Sequence, residues 1–217
     1  MNKVLALLLV VGCASDSAKL GQVEQGLTFP VETAWKTTVL VDPQGDATTS
    51  GGRDLVGDAT RPACSVAVSG QYFFARLRLD TSPAGSVGVG AFGWAVIIDT
   101  DGNLASYEYM ISLEGVAGGD DIHFLKNTTV SGGLSDVAET ELAGVQNGAA
   151  APYPAIENDN FKITAITTNP FGTGADYFLD FAIPIANFSA AGIPLNKIVQ
   201  FTCGTSSNGT RMDVDPS

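Results

Sequence analysis

Positive charge is scarce in this chain. Eleven Lys and Arg stand against 23 Asp and Glu in 217 residues, a formal net charge of -12 at pH 7. With no basic patch to neutralise phosphates, nucleic acid is not expected as a partner. Histidine is scarcer still: the one copy, His123 in "DDIHFLKN", reads as a packed or surface strand residue rather than a catalyst. The sequence has no Gly-x-Ser-x-Gly elbow, phosphate loop, His-rich metal set or Cys-x-x-Cys pair. "GTSSNG", residues 204–209, is Ser-rich but lacks the elbow spacing and reads as a loop. The apolar run Val4 to Val11 is far too short to cross a bilayer as a helix.

That short run has another meaning. The chain begins "MNKVLALLLVVGCASDS", with Lys3 ahead of the apolar stretch, the order of a secretory signal peptide. "LVVGC" followed by small and polar residues resembles a bacterial lipobox. The resemblance implies cleavage before Cys13 and lipid attachment to it; the alternative is an ordinary signal peptide with a chance cysteine. Two places after Cys13 stands Ser15, not Asp, so inner-membrane retention is not signalled. The expectation is an exported protein, lipid-anchored at the cell surface, on the outer membrane. Residues 1–12 are then the signal peptide, 13–36 a lipidated tether rich in Ser, Gly, Gln and Glu, and 37–217 one domain. The chain stops at "MDVDPS" with no sorting signal, and sequence beyond it is expected. Of the three cysteines, Cys64 and Cys203 remain as an even pair in an oxidising compartment, which predicts a disulfide. Two buried free thiols are the alternative.

The rest of the chain reads as β structure. Strands are expected near 37–42, 63–69, 72–80, 91–99, 104–114, 121–126, 161–167, 176–183 and 198–205, rich in Val, Ile, Phe, Tyr and Thr and punctuated by Gly, Pro, Asn and Asp. Short helices are expected at 136–146 and in "PIANFSAAG", where Pro184 suits a first turn and Gly192 a stop. The fold class is all-β: a single antiparallel, jelly-roll-like β-sandwich of about nine or more strands.

"WAVIIDTDGNLASYEYMI", residues 94–111, poses the sharpest local question. Numbered from Ile97, its acids nearly match a twelve-residue calcium loop, with Asp99, Asp101, Gly102 and Glu108 at positions three, five, six and twelve. Asp101-Gly102 is also a strong signal for a two-residue type I′ hairpin turn. That turn pairs Asp99 with Leu104, Ile98 with Ala105, Val96 with Tyr107, Trp94 with Tyr109 and Phe92 with Ile111. One face then collects Phe92, Trp94, Val96, Ile98, Ala105, Tyr107, Tyr109 and Ile111, all apolar or aromatic, which assigns them to the core. In this register Glu108 lies roughly 13 Å along the strand from Asp99, too far to share an ion. A smaller calcium site built on Asp99, Asp101 and Asn103 stays open, beside a plain hairpin turn; no other cofactor is expected.

Alternation also sorts 72–80 and 176–183. Phe73, Ala75, Leu77 and Leu79 alternate with Tyr72, Phe74, Arg76, Arg78 and Asp80. Tyr177, Leu179, Phe181 and Ile183 alternate with Asp176, Phe178, Asp180 and Ala182. Arg76, Arg78, Asp80, Glu108, Asp176 and Asp180 are thus expected on one outer sheet face. They form either a solvated ladder of ion pairs or a recognition surface whose forks and carboxylates address sugar hydroxyls or a partner.

Four segments together carry a resemblance: "DLVGDATRPACSVAVSGQYFFARLRLD" (54–80), "GWAVIIDTDGN" with "YEYMI" (93–111), "DYFLDFAIP" (176–184) and "FTCGTSSNG" (201–209). The chain resembles the β-sandwich domains of bacterial surface proteins that are similar to family-nine carbohydrate-binding modules and DOMON domains, over about residues 37–210. The resemblance implies a jelly-roll-like sandwich with a ligand-binding or surface role. It transfers no binding residue: no aromatic clamp pair and no haem-ligating Met/His pair is matched. Such domains usually carry apolar residues where Cys64 and Cys203 stand, which fits a local disulfide. The first expectation is a non-catalytic surface lipoprotein binding a ligand, with glycan the leading class, through Arg76, Arg78, Asp80, Glu108 and Asp180. The second is an adhesive or structural protein with a protein partner. The third is a glycoside hydrolase using two carboxylates.

Overall fold

The computed structural model describes residues 27–37, 40–47, 52–115, 119–146, 149–193, 195–198, 200–207, 210–212 and 215–216. The expected signal peptide, Cys13 and residues 14–26 lie outside the described residues. No helix among those described is long and apolar enough to cross a membrane.

The runs of β-branched and aromatic residues form the strands. In chain order they are β1 (Lys36–Thr37), β2 (Cys64–Ser69), β3 (Tyr72–Leu79), β4 (Gly93–Asp99), β5 (Tyr109–Glu114), β6 (Asp121–Lys126) and β7 (Thr140–Glu141). There follow β8 (Val145–Gln146), β9 (Ala149–Ala150), β10 (Tyr153–Pro154), β11 (Phe161–Ile166), β12 (Asp176–Pro184), β13 (Gln200–Ser206) and β14 (Asp215–Pro216), with α1 (Ile185–Ala190) after β12. One sheet has the order β1-β2-β3-β12-β11; the other runs β10-β6-β5-β4-β13-β14, with β7 beside β6. All these pairings are antiparallel. The fold is the expected all-β sandwich.

Period-two alternation fills the space between the sheets. Phe73, Ala75, Leu77 and Leu79 of β3 and Leu179, Phe181 and Ile183 of β12 meet Trp94, Val96, Ile98, Ile111 and Leu113 from the other sheet. Each large side chain so buried stabilises by roughly 1.5–3 kcal/mol relative to exposure. Trp94 is fully buried, and its indole N–H donates to the Gly52 carbonyl at 2.8 Å. Cys64 on β2 and Cys203 on β13 join the two sheets through this core as the expected disulfide, with Cα atoms 5.7 Å apart. Closing a loop across 139 positions stabilises by up to about 5 kcal/mol in the chain-entropy account.

A second apolar cluster covers the far face of the second sheet. Ala95, Ile97, Met110 and Leu125 pack there with Tyr107, Ala138 and Met212, so β4 is buried on both faces.

Three local expectations are corrected. Residues 136–146 are not helical: they carry β7 and β8. The segment pairs with β6 instead, and its acids bond that strand's backbone and the loop after it, Glu141 accepting from the Phe124 N–H and Glu139 from the Thr128 N–H. The tether does not run free to residue 36, because Phe29 and Trp35 pack on Phe74 of β3. The third correction concerns the strand at 104–114. β5 starts only at Tyr109, and Leu104–Ser106 is a 3-10 turn. The observed pairs are Ile98 with Tyr109, Val96 with Ile111 and Trp94 with Leu113. The register has slipped by four residues, an even number. Trp94, Val96, Ile98, Tyr109 and Ile111 therefore keep their face, while Ala105 is exposed and Tyr107 joins the second cluster.

His123 on β6 is held from both sides, by Glu141 at 2.8 Å from Nδ1 and by Glu114 at 3.1 Å from Nε2. Burial alone lowers its pKa, but hydrogen bonds and charges from the two glutamates outweigh that and raise it from 6.5 to about 9. A histidine pKa raised by folding contributes stability that is whole below its unfolded value and is lost as pH climbs through the folded one. Thermal midpoints are expected to fall between pH 6.5 and about 9. In His123→Gln that slope should flatten, with a lower midpoint on the acid side of the window. An unchanged slope in the variant counts against the clamp.

Candidate functional site

The outer face of β3 and β12 holds the strongest concentration of polar chemistry. The register sets Arg76 opposite Asp180 and Arg78 opposite Phe178, next to Asp176. Arg76 grips Asp180 with two parallel bonds, Nε to Oδ1 at 2.7 Å and Nη2 to Oδ2 at 2.8 Å. Its remaining Nη1 donates to both oxygens of Glu32, at 2.8 and 2.9 Å. Arg78 donates from Nε and Nη2 to Asp176 at 2.8 and 2.6 Å. The four residues are nearly inaccessible: Arg76 is 7 % and Arg78 5 % exposed, Asp176 and Asp180 1 % each. The layer is therefore a buried network, not a solvated ladder. Burial works against the charge of Arg76, but the bonds and charges of Asp180 and Glu32 outweigh it and raise its pKa.

Aromatic rings make that burial feasible. The Arg76 guanidinium carbon lies 4.1 Å from the ring centroids of both Trp35 and Phe178, and Phe171 has Arg61 at 3.7 Å and Arg78 at 5.0 Å. A cleft of about 210 Å³ opens at Trp35, Arg61, Arg76, Arg78 and Phe178, lined also by Thr37, Thr60 and Ser65. Arg61 is held on the rim by Asp58, whose carboxyl the Arg61 and Thr60 bonds keep well below its usual range. Sequence reading placed Phe178 on this face but missed Trp35, Glu32, Arg61 and Phe171. The signal in this leading segment was its apolar Leu27, Phe29 and Trp35.

Two of the expected face members lie elsewhere. Asp80 follows the end of β3, hydrogen-bonds Gln44 and lines a separate cleft beside Tyr177. Glu108 sits in the loop between β4 and β5, in the other sheet, where it accepts from the Thr100 N–H and hydroxyl at 2.8 and 2.9 Å. The Asp99 carboxylate takes the N–H groups of Gly102 and Asn103 at 2.9 and 3.1 Å, and Asp101 shares the latter at 2.9 Å. Of the two central residues of the expected I′ turn, Gly102 alone has a positive φ, 93°. Side chains satisfy the backbone here, so the tight turn does not form. The inferred separation of Asp99 from Glu108 is overturned: carboxylate oxygens of Asp99, Asp101 and Glu108 all lie within 4.8 Å of one another. Oxygens around one calcium ion are spaced in this way, so these three can hold a hard cation. Asn103 donates its backbone N–H to Asp99 and Asp101, and the third carboxylate of the group is that of Glu108.

Asp54 has a raised pKa, chiefly through burial, with the charges of Asp80 and Asp46 adding to it. Both its oxygens are committed, to the N–H groups of Gly45 and Ala47 at 2.7 and 3.1 Å. It holds a loop and is not placed to give or take a proton. No family model, no curated protein and no solved structure matches this chain.

A buried ion pair is costly to break from one side, because the partner is left charged and unpaired. Asp180→Ala is expected to lose about 3–5 kcal/mol of unfolding free energy, while Arg76→Leu combined with Asp180→Leu recovers most of that loss. Urea unfolding of both variants checks the pair; equal losses in the two would refute a charge-driven effect.

Proposed function

We propose that this chain is an exported lipoprotein, held at the outer membrane surface by lipid on Cys13, whose sandwich binds a neutral glycan without transforming it. The cleft at Trp35, Arg76 and Phe178 is the observation that carries the reading. Trp35 and Phe178, three arginines, Glu32 and the hydroxyl-bearing Thr37, Thr60 and Ser65 line one depression, the mixture that meets the apolar faces and hydroxyl edges of a sugar. Charge narrows the class. Arg61, Arg76 and Arg78 are answered by Asp58, Asp180, Glu32 and Asp176, three cations against four anions, so no net positive field favours an anion. The cleft is smaller than pockets that enclose a whole drug-sized ligand, which suits a chain end or a single ring. The resemblance to carbohydrate-binding modules and the ordered lipobox agree with this reading.

Glycan-array binding of the Cys13→Ser protein identifies the ligand, and titration then measures Kd. Trp35→Ala and Arg61→Ala are each expected to raise Kd by about tenfold, ~1.4 kcal/mol. Cys13→Ala should lose both membrane fractionation and labelled fatty acid. Steady turnover of a bound glycan, or variants binding as the parent does, would sink the proposal.

A further inference from the structure

Residues 27–37 cross the outer face of the first sheet and meet it through side chains at Phe29, Glu32 and Trp35. Phe29 and Trp35 rest on the same ring, Phe74, with centroids 5.6 and 6.4 Å away. Lys162 of β11 lies 6.0 Å from the Phe29 ring, at the opposite edge from β2. Among the described residues, ladder pairing here joins Lys36 with Val66 and Thr37 with Ser65. The 3-10 turn Glu32–Ala34 has no side-chain cap, and Val31 is 70 % exposed.

Two features make this attachment easy to undo. The Glu32 side chain is 74 % exposed, while Arg76 keeps both bonds to Asp180 when Glu32 leaves. Release therefore removes a weak exposed contact and leaves the buried pair whole. In addition, the Trp35 indole N–H is shut away from solvent with no acceptor among the described residues. That donor is unsatisfied only while the segment is docked, and water satisfies it on release.

We infer that residues 27–37 are a detachable strap whose docking assembles the arginine cleft and whose release dismantles it. Glu32, Trp35 and Thr37 are strap residues and line the cleft together with Arg61, Arg76 and Phe178 of the body. A ligand that touches both parts holds the strap down, and a docked strap raises affinity by the same factor, since linkage is reciprocal. The effect on ligand affinity rests on the glycan reading; the release itself does not.

Hydrogen exchange on the full chain tests the release directly. Amides of Ala34, Lys36 and Thr37 are expected to exchange at least about a hundredfold faster than those of β3, because local opening precedes global unfolding. Glu32→Gln, a surface change, should speed the strap amides a further two- to fivefold, about what an exposed ion pair is worth, with β3 unchanged. Strap and β3 amides exchanging at one common rate would overturn the inference. Glucose, galactose and N-acetylglucosamine are then added in turn. Any that binds should slow the strap amides, and one that binds while leaving them untouched overturns the coupling. If none binds, the glycan reading falls, and the strap rates without sugar still decide this one.

Discussion

The period of two along β3 and β12 is the constraint on which the rest depends. A strand shows alternate residues to opposite faces, so the step that sends Phe73, Ala75, Leu77 and Leu79 into the core sends Phe74, Arg76 and Arg78 the other way. The outward set is not left in water. Asp176 and Asp180 stand beside it on β12, aromatic rings cover it, and the strap crosses it. Moving β12 by one residue would set its inward side chains, Leu179 and Phe181, on the outer face and bury Asp180 in the core. Core and arginine layer thus hold each other in register.

A buried ion-pair layer is not the cheapest way to hold two strands together. Apolar residues of similar volume usually do as well or better. What the charged version adds is direction. Each guanidinium fork matches one carboxylate in one orientation, which fixes Arg76 and Arg78 in place under the cleft. The layer forms a rigid floor, and the weakly attached strap forms one wall. Rigidity on one side and ready release on the other are joined at a single residue, Arg76, which bonds both Asp180 and Glu32.

Much of the fold was legible in the residues. Strands β2, β3, β4, β6, β11, β12 and β13 fall within a few residues of where alternation put them, and the Cys64–Cys203 bond joins the pair left when Cys13 is set aside. The candidate site was legible only in part. Arg76, Arg78, Asp180 and Phe178 share one face as expected. The expectation of exposure failed because it depended on residues 27–37, read as part of a tether although they carry Leu27, Phe29 and Trp35. Glu108 failed for a different reason. The Asp-Gly signal implied a tight turn, but Asp99 takes the N–H groups of Gly102 and Asn103 while Glu108 takes that of Thr100, and these bonds displace it.

By itself the sequence determined what is periodic or countable: the faces of the long strands, the pairing of the cysteines, and a strongly acidic charge balance. Alternation is imposed within each strand by its own backbone geometry, and it survived even where the register slipped, because the slip was an even number of residues. Tertiary structure alone decided which polar residues are buried, which acids converge, and where the leading segment docks. Those outcomes depend on groups far apart in the chain competing for the same hydrogen bonds and the same ring faces, and no local pattern records who wins that competition.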